Sequence, residues 1–137
     1  MGAWDETVFG NDDAADFAGE ISEVKSFAEV VDRLNSAFDN LLDSNGYLDN
    51  YVVNSAVVAG ALVAAWGKPE LLPGTPYEPE NWPPFDQPLP AELEIKAARA
   101  IDRALTGDDN EYVELWAETD SWDKVVADVQ RYRSALP

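Results

Sequence analysis

Three carboxylates, Asp12, Asp13 and Asp16, stand in the spacing Asp-Asp-x-x-Asp, the form of the aspartate-rich magnesium motif of isoprenoid synthases. On a helix Asp12 and Asp16 share a face, and carboxylates are the ligands a hard cation takes. Those synthases are much larger, and they bring a second acidic or polar motif from an opposing helix. Here the acids stand at the start of a helix for which Asn11 or Asp12 is suited to be the N-cap. Acids in a first turn are stabilised by the exposed N–H groups and the helix dipole, by roughly 0.3–1 kcal/mol each. Capping is therefore the expectation, and Asp12 and Asp16 are what a metal site would use. Trp4 and Phe9 lie close by in sequence, and Trp82 is a large apolar residue in a proline-rich stretch. Trp4, Phe9, Asn11, Asp12, Asp13, Asp16 and Trp82 form the candidate binding set; no residue is nominated as catalytic.

The remaining chemistry is sparse. Asp43-Ser-Asn-Gly46 resembles the start of a calcium loop, but the glycine falls at the fourth position and Asn54 stands where a glutamate is required. No phosphate-binding loop, dinucleotide fingerprint or nucleophile elbow is present. The chain has no histidine and no cysteine, so the commonest general base, the commonest transition-metal ligand and all thiolate chemistry are missing. With 27 acids, spacing singles out no carboxylate pair for acid–base work. Lys96, Arg99 and Arg103 recur at helical spacing; they could hold an anion, but pairing with Glu92 and Asp102 across a solvated face is expected. Nothing calls for a cofactor.

These residues must be positioned by a chain of 137 residues, which is one domain by length and large enough to bury a core without a staple. Its hydrophobic content of 46% argues for a folded globule. The net charge of −18 disfavours nucleic acid and anionic lipid as partners and favours basic ones. The acid is uneven: residues 1–90 carry 16 acids against Lys25, Arg33 and Lys68, whereas residues 91–137 carry 11 acids against six bases. The amino terminus lacks the basic and apolar regions of a signal peptide, so a bacterial-type cytoplasm is the expected location.

Tyr51 to Trp66 is apolar on every side apart from Asn54, Ser55 and Gly60. A helix of that kind is buried, and we expect it to be the axle of an all-α, single-domain bundle of five to six helices. At about 1.5 Å per residue it reaches roughly 24 Å, short of a hydrocarbon core of about 30 Å. On its N-terminal side no basic residue lies closer than Arg33, so no membrane span is expected. Ala56, Gly60 and Ala64 share one face and would let a neighbouring helix approach closely. Asn54 and Ser55 must find partners, either in neighbouring backbone such as the amino-terminal arm or in a small pocket.

Residues 1–10 read as an ordered arm leading into a first helix with Ala14, Phe17, Ala18 and Ile21 on one stripe. Ser26-x-x-Glu29 is a capping box opening a second helix along Phe27, Val30, Val31, Leu34, Phe38, Leu41 and Leu42. Asn50 is the expected cap of the axle, and Gly67 with Pro69 closes it. Residues 68–90 hold eight of the nine prolines together with Leu71, Leu72, Tyr77, Trp82, Phe85 and Leu89. This composition predicts an extended strap across the helices, either functional or a packed connection. Pro90 opens a fourth helix that Gly107 ends; a short fifth follows Asp108-Asp109-Asn110, and a last begins at Asp120 or Ser121.

Met1-Gly2-x-Trp4, Phe9 and Asn11-Asp12-Asp13-Ala14-Ala15-Asp16-Phe17 resemble the opening of a bacterial family called domain of unknown function 4259. Members share a Met-Gly-x-Trp arm followed by a Phe-x-Asn-Asp-x-Ala-x-Asp-aromatic run; this chain departs in having Asp5-Glu6-Thr7-Val8 where small residues and a proline are usual. The resemblance implies a small bacterial protein and supplies no activity. From the residues themselves the expected function is a non-catalytic protein-interaction module, of the immunity or inhibitor kind, with a basic protein partner. The alternatives are a small-ligand or divalent-metal binder or enzyme using Asp12, Asp13 and Asp16, and a nucleic-acid mimic. Oligomeric state is not encoded in any motif.

Overall fold

The computed structural model describes residues 6–75 and 77–137, and these form an all-α bundle. Its helices are α1 (Asp12–Ser22), α2 (Phe27–Leu42), α3 (Asn50–Gly67), α4 (Ala91–Ala104), α5 (Glu111–Ala117) and α6 (Trp122–Arg133), with a 3-10 turn at Pro69–Leu71. Trp4 lies outside the described residues, so the arm is seen from Glu6 onward.

The axle forms as its composition dictates. Every residue from Val53 to Ala65 is buried, and α3 packs against each of the other five α-helices. By length and composition α3 could cross a membrane, yet most of it is enclosed by the bundle. The small-residue face receives α4: a Cβ on Gly60 would stand 2.8 Å from Ile101 Cδ1 and 2.9 Å from Cγ1. Facing it are Ala97, Ala100 and Ala104, all fully buried.

Capping differs from expectation at two places. The side chain of Asp49, not Asn50, accepts the Val52 N–H (3.0 Å) at the start of α3. Asn50 is displaced into the first turn because its own N–H donates to Glu111 Oε1 at 2.7 Å. The same junction carries a parallel bridge, with Leu48 N–H donating to Asp109 O and Glu111 N–H donating to Leu48 O. Helix α4 ends at Ala104, before Gly107, because the buried Asn110 amide donates to the carbonyls of Ala104 and Thr106, both at 2.9 Å. The cationic stripe is also spent differently. Lys96 reaches across to Asn35 and Asp39 on α2, both at 2.7 Å, while Arg103 donates to the carbonyls of Thr106 and Asp108. Asp102 pairs with Arg133 of α6 at 2.9 Å.

The proline-rich stretch is a packed strap. Trp82 is buried, donates its indole N–H to Leu62 O (2.8 Å) and meets Trp66 edge-on at 5.3 Å. Trp66 donates to Gln87 O at 2.8 Å, and Phe27 lies edge-on to both Trp66 and Phe85. This aromatic cluster pins the strap to the carboxyl end of α3 and the start of α2.

The arm is clamped by the last helix. Val8 N–H donates to Asp128 Oδ2 at 2.8 Å, and Phe9 is buried edge-on to Tyr132. Arg131 lies over the Tyr132 ring, binds its hydroxyl and Asp128, and donates to Leu71 O at 2.8 Å, so arm, strap and α6 meet in one network.

Two outcomes follow. Gly60→Ala gains helix propensity of about 1 kcal/mol but overpacks against Ile101, which costs about 1–3 kcal/mol. In denaturant melts, Gly60→Ala and Ile101→Val together should be more stable than their separate effects sum to, by about 1 kcal/mol; strict additivity would deny the contact. The second concerns pH. Burial pushes the Tyr132 hydroxyl up to about 12, with Arg131 opposing and Asp128 adding to the rise. The unfolded phenol ionises near pH 10, so stability should hold below about pH 10 and fall as pH approaches 12. Urea midpoints across that window should fall less steeply in Tyr132→Phe, leaving the share due to Tyr112, which burial also raises.

Candidate functional site

A recess lined in part by the nominated Trp82 lies between α1 and the strap. It measures about 470 Å³, within the range of ligand and peptide pockets. Ala15, Ala18 and Gly19 form one wall, Trp82 and Ile21 the floor, and Tyr77, Glu80 and Asn81 the far rim. Its shape comes from local sequence. Asn11 caps α1 by accepting the Ala14 N–H at 2.8 Å, which fixes where the helix begins, and its amide donates back to Val8 O. On the far rim Asn81 takes a left-handed φ of 57°, a region that asparagine enters more readily than most residues.

The polar groups inside the groove are already committed to the fold. Glu78 is buried, and its carboxylate accepts from the Gly74 and Thr75 N–H groups and from the Thr75 hydroxyl. Ser22 Oγ donates to Ala18 O at 2.7 Å. What stays at the surface is acid: Glu80 is exposed on the far rim, and Asp12 and Asp16 of α1 and Glu23 just past its end are exposed without lining the groove. Among the described residues, none of the five ion pairs uses any of these four.

The nominated residues therefore separate. Trp82 lines the groove, whereas Asp12 and Asp16 are exposed on α1 and are not among its lining residues. Phe9 and Asn11 are buried and hold the arm against α1 and α6. Asp13 turns the other way and accepts from Asn54 Nδ2 at 3.3 Å, so the partner of that buried amide is a side chain and not the backbone that the sequence suggested. Among the described residues, no three acids converge in a way that could hold a metal ion. Ser55 Oγ is buried without a hydrogen-bond partner in the protein.

The family model for a domain of unknown function, DUF4259, matches residues 2–128. The chain belongs to the DUF4259 family. No curated protein and no solved structure matches it. For this DUF4259 member the groove is thus described from its own geometry. Gly19, Tyr77 and Glu80 are the groove residues that the sequence did not single out. Gly19 carried a usable signal: glycine inside a helix costs about 1 kcal/mol relative to alanine, and a Cβ there would meet nothing within 4 Å. Packing does not require the glycine, and its effect is to keep the groove wall low.

Ser55→Ala should raise stability by about 1 kcal/mol, because it removes a buried hydroxyl that has no partner and replaces it with a better helix former. A thermal or urea melt showing a loss instead would mean that the hydroxyl is satisfied.

Proposed function

We propose that this protein is a non-catalytic interaction module, of the kind found in small immunity and inhibitor proteins, working in a bacterial-type cytoplasm, and that the groove between α1 and the strap takes a basic segment of a partner protein. The supporting observation is the division of polar groups at the groove. The carboxylate and hydroxyl inside it are bonded within the protein, which leaves no poised acid–base pair, while the exposed Glu80 stands on its strap rim and Asp12, Asp16 and Glu23 add exposed acid at the two ends of α1. The net charge of −18 adds long-range attraction for a cationic partner. Trp82 and Ile21 offer an apolar floor for the stems of lysine or arginine side chains, whose heads then reach the acidic rim.

Gly19→Arg tests the reading, because the position has room for a side chain and the new residue fills the groove with positive charge. Tagged full-length protein should capture a basic protein from native lysate, and the purified pair should weaken as salt rises. Gly19→Arg should lower that affinity by about tenfold or more without lowering the melting temperature, since arginine is the better helix former. Undiminished affinity in the variant, or binding indifferent to salt, would remove the groove from the interaction.

A further inference from the structure

The strap side of the groove is rich in hydrogen-bond acceptors. Pro79 and Pro84 line it with carbonyls and bring no N–H, and Glu80 adds an exposed carboxylate. Glu78, only 7% exposed, lines the groove as well. The three bonds its carboxylate accepts from Gly74 and Thr75 come from neutral donors, which fill lone pairs without cancelling the charge. Among the described residues, none of the five ion pairs uses Glu78 or Glu80. A carboxylate shielded from water and given no counter-ion attracts an incoming cation more strongly than one in solvent. The same recess is aromatic. Tyr77 is exposed on its far rim, and the floor residue Trp82 is held in one orientation by its bond to Leu62 O. Opposite, Ala15, Ala18 and Gly19 leave the helix wall low and flat.

We propose that the residue anchoring the partner segment in this groove is an arginine and that lysine is discriminated against; the inference rests on the reading of the groove as the seat of a basic segment. Negative charge alone serves either cation. Acceptors and aromatic surface together do not. A guanidinium carries five donors around one plane, so its edge meets the Glu80 carboxylate and the strap carbonyls at once while its face lies on an aromatic side chain. An ammonium is a compact, strongly hydrated charge with three donors, and it gives up more hydration on entering the recess. The low wall at Gly19 admits the flat group, since even a Cβ there has nothing within 4 Å. At about 470 Å³ the groove exceeds one side chain and takes flanking residues of the segment too.

The test uses the intact protein and three blocked peptides, acetyl-Gly-Gly-X-Gly-Gly-amide, in which X is arginine, lysine or citrulline. Citrulline keeps the planar shape and lacks the charge. Backbone amide shifts are followed by NMR at millimolar peptide. The arginine peptide should shift the amides of Gly19, Glu80 and Asn81 saturably, the lysine peptide should bind about tenfold more weakly, and the citrulline peptide should not bind. Glu80→Gln, a change at an exposed position, should weaken the arginine peptide by about threefold while leaving the melting temperature in place. A lysine peptide that binds as well as the arginine one overturns the inference alone and leaves the groove as a seat for any basic segment. A citrulline peptide that binds as well, or shifts scattered over exposed acids away from the groove, overturns that reading too. No saturable shift with the arginine peptide overturns the inference, and Gly19→Arg against the captured partner then judges the groove separately.

Discussion

Thirteen consecutive residues of α3, Val53 to Ala65, are buried, so water must be kept from every side of one helix at once. An amphipathic helix needs a single neighbour, whereas a helix apolar all round needs a closed ring of them. The rest of the chain is explained by that demand. Helices α1, α2, α4, α5 and α6 each cover a sector of α3, and the strap covers the sector that no helix reaches by laying Trp82 against Leu62 and Trp66. Apolar area removed from water contributes about 25 cal/mol per Å², and the axle together with the larger side chains laid on it forms the buried core that supplies this term.

Close approach is the second requirement, and small residues meet it. Gly60 lets Ile101 of α4 come so near that even a methyl group would collide with it. Leu62, Val58 and Val53 then fill space around a backbone contact instead of holding helices apart. The polar residues in the axle are tolerated to different degrees. Asn54 is answered by Asp13, which makes the acidic opening of α1 part of the core's accounting of hydrogen bonds. Ser55 is left unanswered within the protein.

Much of this was legible in the residues. The buried axle, the apolar stripes of α1 and α2, and the Ser26 cap follow from periodicity and capping chemistry, and the structure carries them at nearly the expected boundaries. Family membership rests on the match over residues 2–128. What could not be read were the long-range polar partners. Glu111 supplying the Asn50 N–H, Lys96 crossing to Asp39 and Asp128 holding Val8 all join residues far apart in the chain, and spacing carries no signal for such pairs. The groove was half legible: Trp82 stood out by type, but its place opposite Ala15, Ala18 and Gly19 of α1 depends on the course of an irregular strap.

The hydrogen bonds between the Leu48 junction and the start of α5 bear on how the molecule opens. Leu48 exchanges backbone bonds with Asp109 and Glu111, and Glu111 also holds the first N–H of α3, while Asp128 of α6 ties down the arm ahead of α1. Sequence-distant ends are thereby stitched to the same central helix, and no segment of the described chain can be released without exposing part of it. Local fluctuations should then be confined to loop tips, and the slowest amide protons of α3 should exchange through one global event shared with α5 and α6, so that the bundle behaves as a single foldon.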